Sequence, residues 1–245
     1  MKIKGIFWIF LSIVIQMILM KSNSSIESIF PFLSGVPVSS STQLENLTLL
    51  YWYLPIVAMS FYFSGYIRDN LYSYGKLKLV RNYNKSKWIV LRFTNMMLTL
   101  LGFVLIQILI FYLSSIYLEH SFNTFTFTSE IFMLIIMYFL TLLCLFSIQL
   151  TLELFITPQL SQLALNMYIV VSIFAAKQFY TLNAPSFLYY VLIPNYNNGF
   201  RTGLSHFHGI EKYLIHYPIG LLILIILQIG LVFLAAFKIK KMDIL

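Results

Sequence analysis

The sequence predicts an all-α membrane protein: one transmembrane domain over residues 1–245, with six spans, a cytoplasmic coupling helix between spans 2 and 3, and a re-entrant or interfacial segment before span 6. Three observations carry this. The chain is 60% hydrophobic and only 10% charged, where soluble domains have roughly a quarter of their residues charged. Its apolar residues fall in runs long enough to cross a bilayer. Its basic residues collect on one side of the topology those runs define, as the positive-inside rule requires.

Gly5–Met20 is apolar and follows Lys2 and Lys4. Its 16 residues reach about 24 Å as a helix, short for a core of roughly 30 Å. A cleaved signal peptide is the rival reading. No small-x-small site follows, so a retained first span is expected. Lys21–Asn46 is Ser-rich, with Pro31, Gly35 and Pro37. It reads as an external loop with a short interfacial turn around Ile29–Leu33. Asn23 and Asn46 open N-x-S/T triplets, which matter only in a eukaryotic secretory route.

Leu47–Ile67 is the second span. Pro55 lies inside it, and Tyr51, Trp52 and Tyr53 suit an aromatic belt. The polar segment 68–88 follows, and Ile89–Leu113 is the third span, with Arg92 placed to snorkel back to the cytoplasmic face. Ser114–Ser129 carries Glu119 and His120 but no Lys or Arg, which suits the outside. Glu130–Leu152 is the fourth span, Glu153–Gln162 a short return containing Pro158, and Leu163–Tyr180 the fifth span. The external loop 181–216 contains SFLYYVLIP, apolar but too short to cross, which fits re-entry or an interfacial position. Tyr217–Phe237 is the sixth span.

Twelve of the 16 Lys/Arg then lie on the side of both termini: Lys2, Lys4, Arg68, Lys76, Lys78, Arg81, Lys85, Lys87, Arg92, Lys238, Lys240 and Lys241. Lys21, Lys177, Arg201 and Lys212 fall outside. The net charge of +8 therefore reads as orientation and contact with anionic lipid, not nucleic-acid binding. Both termini are expected in the cytoplasm of a multi-pass cell-membrane protein.

Several chemistries lack their residues. There is no GxxxxGK[ST] phosphate loop, no HExxH, and no charged residue at a span centre, which excludes the familiar nucleotide, zinc-protease and buried-carboxylate transport designs. His206-x-His208 with His216 is the nearest approach to a metal motif and reads as an exposed loop tip. Cys144, the one cysteine, reads as inert packing. No enzyme activity, cofactor or metal is expected in the chain. The spans hold uncharged polar residues: Gln16, Asn95, Gln107, Gln149, Asn166 and Gln228. They read as interhelical hydrogen-bond glue. Gln107, Gln149, Asn166 and Gln228 are also candidates to line a translocation path.

The segment 68–88 is the polar exception. Leu71, Tyr74, Leu77 and Val80 recur at i, i+3, i+6 and i+9, an apolar stripe on a helix. Arg68, Lys76, Lys78 and Arg81 accompany it. Gly75 interrupts the helix, and NYNKS breaks it before Ser86 restarts the next as an N-cap. A cytoplasmic helix pinned between two spans can pass force to both, so these residues are the candidate docking site for a cytoplasmic partner.

This order of parts resembles the permease subunits of type II ABC exporters, with Arg68–Lys87 as the coupling helix and Ser186–Gly203 as the re-entrant piece. More narrowly, YGKLKLVRNYNKSKWIVLRF, with Pro194-Asn195 before the last span, resembles small peptide-export or bacteriocin-immunity permeases of low-GC Gram-positive bacteria. One departure is the absence of an amphipathic interfacial helix before the first span. The resemblance implies a cytoplasmic ABC ATPase that binds ATP and Mg, a second copy or a related permease, and an amphipathic or hydrophobic peptide as cargo, for export or self-immunity. A substrate-binding membrane subunit of a small-molecule importer and a membrane-embedded peptide-processing enzyme are the alternatives.

Overall fold

In a computed structural model, the described residues are 3–22, 30–36, 42–71, 84–119, 128–205 and 214–242, and they contain no strand. The elements are α1 (Ile3–Ser22), α2 (Pro31–Ser34), α3 (Thr42–Phe63), α4 (Arg68–Asn70), α5 (Lys85–Glu119), α6 (Ser129–Leu152), α7 (Pro158–Thr181), 3-10 turns at Ser186–Val191 and Ile193–Asn195, α8 (Gly199–Thr202) and α9 (Tyr217–Lys241). Five stretches are long and apolar enough to cross a membrane: Asn46–Asn70, Lys85–Tyr117, Ser129–Leu152, Pro158–Thr181 and Tyr217–Lys241. The apolar stretch of α1, Gly5–Lys21, is shorter.

The helix ends follow local chemistry, and they correct several expected boundaries. α3 ends at Phe63 rather than Ile67, because Gly65 takes φ +75° and turns the chain. A Cβ at Gly65 would stand 2.7 Å from Asp69 Oδ2. The N-cap of α5 is Asn84, not Ser86. Asn84 Oδ1 accepts from the backbone N–H of Ser86 at 3.0 Å and of Lys87 at 3.4 Å, so helix begins at Lys85. α7 starts five residues before the expected Leu163. Thr157 caps it through Leu160 N–H, and Pro158 sits in the first turn, where its missing N–H costs nothing. The return after α6 therefore shrinks to Glu153–Thr157. Lys238, Lys240 and Lys241 lie in the last turn of α9 rather than beyond it, where the helix dipole favours cations.

α6 is the centre of the bundle, in contact with α3, α5, α7 and α9. α1 packs on α3 and α5. The side facing outward is apolar: Leu98, Leu105 and Leu109 on α5 and Ile226, Phe233 and Phe237 on α9 are all exposed. That is the arrangement a lipid solvent asks for. Two irregular pieces fill one end. α2 is buried throughout, with Phe32 packed on Phe111 and Tyr138. Residues 192–202 are buried nearly as completely. Of the expected interfacial turn at Ile29–Leu33, Phe30 to Leu33 are buried in the core, and Ile29 lies outside the described residues.

Candidate docking site at the basic end

The ends of α3, α6 and α9 meet the start of α5 where the basic segment leaves α3 and enters α5. Helix α6 delivers Glu153 there as its C-cap. Its carboxylate reaches the turn after α3: Gly65 N–H donates to Oε1 at 2.8 Å and Ile67 N–H to Oε2 at 3.2 Å. Glu153 is only 4% exposed. Burial pushes its carboxyl up to about 7, against the pull of the Gly65 and Ile67 N–H groups, and the Asp69 charge adds to the rise. A small cavity of about 110 Å³ adjoins it, lined by Arg68, Leu71, Phe155 and Met242 among others.

The other end of the segment is also fastened. Lys85 Nζ donates to the Met242 carbonyl at 2.9 Å, tying the start of α5 to the end of α9. Trp88 is buried, and the Arg92 guanidinium lies 5.0 Å from its ring centroid. Lys238 of α9 lies 4.6 Å over the ring of Phe155. The basic segment therefore enters the bundle through a carboxylate clasp and leaves it through an ammonium clasp.

Of the expected docking residues, Arg68 is half-buried in α4 and Leu71 is buried against the bundle base. Leu71 seats the segment rather than offering an outward surface. Tyr74, Lys76, Leu77, Lys78, Val80 and Arg81 lie outside the described residues. The sequence does not single out Glu153. Its signal was faint: a single acid directly after an apolar span, at the end the basic residues mark.

The four candidate path residues fall in three places. Gln107 is fully buried, with its Nε2 donating to Gln16 Oε1 at 2.7 Å and its Oε1 accepting from Tyr138 OH at 3.0 Å. This joins α1, α5 and α6. Gln149, also fully buried, donates to the Ser60 carbonyl at 2.9 Å. Asn166 shares that neighbourhood, accepting from Tyr53 OH at 2.7 Å and donating to Ser60 Oγ at 3.0 Å. Gln228 stands apart and half-buried on α9. Asn166 is half-buried as well.

At the opposite end, residues 186–202 of the expected external loop are folded onto the bundle rather than standing off it as a polar loop. Residues 186–202 run along α7. Tyr168 OH donates to the Val191 carbonyl at 2.8 Å and accepts from Ile193 N–H at 3.0 Å, and Asn195 Nδ2 donates to the Ser172 carbonyl at 3.3 Å. These anchors lie nine to thirteen residues before the end of α7, roughly 13–20 Å along the helix. Arg201, expected in an external loop, is wholly buried. It donates to the carbonyls of Val36 at 3.3 Å and Ile173 at 3.4 Å and to Asn195 Oδ1. Asn198 Nδ2 also donates to Val36, at 2.8 Å. Gly35 permits this approach: its φ is +78°, and a Cβ would lie 2.6 Å from Asn198 Cγ.

No group of His, Cys, Asp and Glu among the described residues could hold a metal. His206 and His208 lie outside them. Cys144 is buried and donates to the Leu224 carbonyl at 3.2 Å.

Residues 9–245 match the family described as "Protein of unknown function (DUF2705)", and the chain belongs to it. It is 44% identical to a Bacillus subtilis (strain 168) protein entitled "Uncharacterized protein YybK", an alignment covering 100% of this chain and 98% of that one. No solved structure matches.

Proposed function

We propose that this DUF2705 chain is the membrane-spanning subunit of an ATP-driven ABC transporter that exports an amphipathic or hydrophobic peptide, for export or self-immunity. In this reading α1 completes six spans, and both termini lie on the cytoplasmic side of the cell membrane. Two such permeases, identical or related, enclose the path. A separate ATPase subunit binds ATP and Mg and presses on residues 68–88.

The observation that carries the reading is the double anchorage of that segment. Its entry is fastened to α6 through Glu153, and its exit to α9 through Lys85 and Met242. A push on the segment therefore acts on α3, α5, α6 and α9 together, as coupling to an external engine needs. The path itself is assigned to the faces of Asn166 and Gln228, which are half-buried. Gln107 and Gln149 are enclosed and hydrogen-bonded, and they act as the glue behind it.

The test is co-purification. Leu77→Asp with Val80→Asp, in the full chain, should abolish recovery of the ATPase subunit while membrane insertion is unchanged. Recovery equal to the wild type would overturn the docking assignment.

A further inference from the structure

The outward side of α1 and α5 holds a groove of about 680 Å³ at the end opposite the basic segment. Its lining is layered. Phe10, Val14, Met17 and Ile18 line it from α1, at the i, i+4, i+7, i+8 spacing of a single helix face. Ile110 and Leu113 form the facing wall on α5. The polar lining residues, Lys21, Ser114 and Tyr117, all sit beyond the apolar ones at one end. Lys21 Nζ is held there by a bond to Ser115 Oγ at 2.6 Å.

We propose that this groove binds an anionic phospholipid, with one acyl chain along the apolar wall and the phosphate at Lys21. The length supports it. Phe10 to Lys21 is eleven residues, about 16 Å, which is one leaflet of a hydrocarbon core roughly 30 Å thick. The charge supports it too. The single cation stands at the end of α1, level with the headgroups, where an ammonium attracts an anionic lipid. A peptide spanning both leaflets would find only half its length matched. This site is independent of any ATPase and needs only that the helices stand in a membrane.

The experiment is native mass spectrometry of the full chain, released from detergent in an equal mixture of phosphatidylglycerol and phosphatidylcholine. The wild type should retain phosphatidylglycerol over phosphatidylcholine by about fivefold. Lys21→Gln should bring that ratio close to one while total retained lipid changes little. Val14→Trp, which fills the groove, should lower retention of both lipids. Circular dichroism of each variant confirms its helix content. Equal retention by the wild type, or a ratio unchanged in Lys21→Gln, overturns the proposal. So does a doubled chain mass that Val14→Trp abolishes, which would make a second copy the occupant.

Discussion

The two ends of the bundle each bury a charged side chain, and they neutralise it in opposite ways. At the basic end the Glu153 carboxylate accepts from two backbone N–H groups of one tight turn. At the other end the Arg201 guanidinium donates to two backbone carbonyls and an amide oxygen, drawn from three separate segments. Both use backbone dipoles as the counter-charge, which satisfies a buried ion without a second ion to desolvate. The difference lies in what each holds together. Glu153 joins α6 to one turn at the end of α3. Arg201 joins α7, the stretch after α2 and the 186–202 segment into one body. One end is built as a clasp on a handle and the other as a keystone.

The sharpest way to break this contrast is to remove the keystone. Arg201→Met strands Asn195 Oδ1 in a buried site and takes one hydrogen bond each from the Ile173 carbonyl and from the Val36 carbonyl, which keeps Asn198 Nδ2. At about 1 kcal/mol for each of the three lost hydrogen bonds, the loss should be about 3 kcal/mol. Thermal unfolding in detergent should show it as the largest drop of any variant considered. Arg201→Lys should recover little, because a single ammonium cannot serve three acceptors in a planar fork. Full recovery by lysine would mean that charge, not geometry, is what the site requires.

The clasp should respond to pH where the keystone does not. The folded-state value of Glu153, about 7, lies above its ordinary 4.5. The folded protein therefore holds the proton more tightly than the unfolded chain does. The stability this proton contributes is fully present below pH 4.5 and is lost as pH rises through 7. Stability followed from pH 5 to 8 should fall for the wild type. Glu153→Gln should flatten that slope and lower stability near pH 5 by about 1 kcal/mol, since an amide oxygen can replace only one of the two acceptors. An unchanged slope in the variant would place the titration elsewhere.

Much of the helical frame was legible in the sequence because a lipid solvent demands long apolar runs, and such runs are easy to read. The fourth expected span, Glu130–Leu152, differs from α6 by one residue. Ends were legible where a cap was recognised. Pro158 reads as loop, although a proline after threonine also starts a helix. Ser86 reads as the N-cap, two residues after the actual one at Asn84. The buried charges were not legible. Arg201 follows NYNNGF and looks like a loop tip. Its burial depends on carbonyls of Val36 and Ile173, far along the chain, which no local pattern announces. Glu153 is the same case with the sign reversed, since its partners are backbone N–H groups that carry no side-chain signature.

The Gln16–Gln107–Tyr138 chain, between the two ends, sharpens the comparison by removing both charge and backbone from it. Here neutral side chains satisfy one another, apart from a long contact of 3.5 Å from Gln16 Nε2 to the Trp52 carbonyl. Gln107→Leu strips the donor from Gln16 Oε1 and the acceptor from Tyr138 OH, and should cost about 2 kcal/mol in thermal unfolding. Adding Tyr138→Phe removes one of the two stranded groups, so the double variant should be less destabilised than Gln107→Leu alone, by about 1 kcal/mol. The same logic cannot work at the Glu153 end, where the stranded groups are backbone N–H groups that no substitution deletes, and at the Arg201 end it reaches only Asn195 Oδ1. A double variant at least as unstable as the single would mean that packing around the Tyr138 ring, rather than its hydroxyl, is what the network maintains.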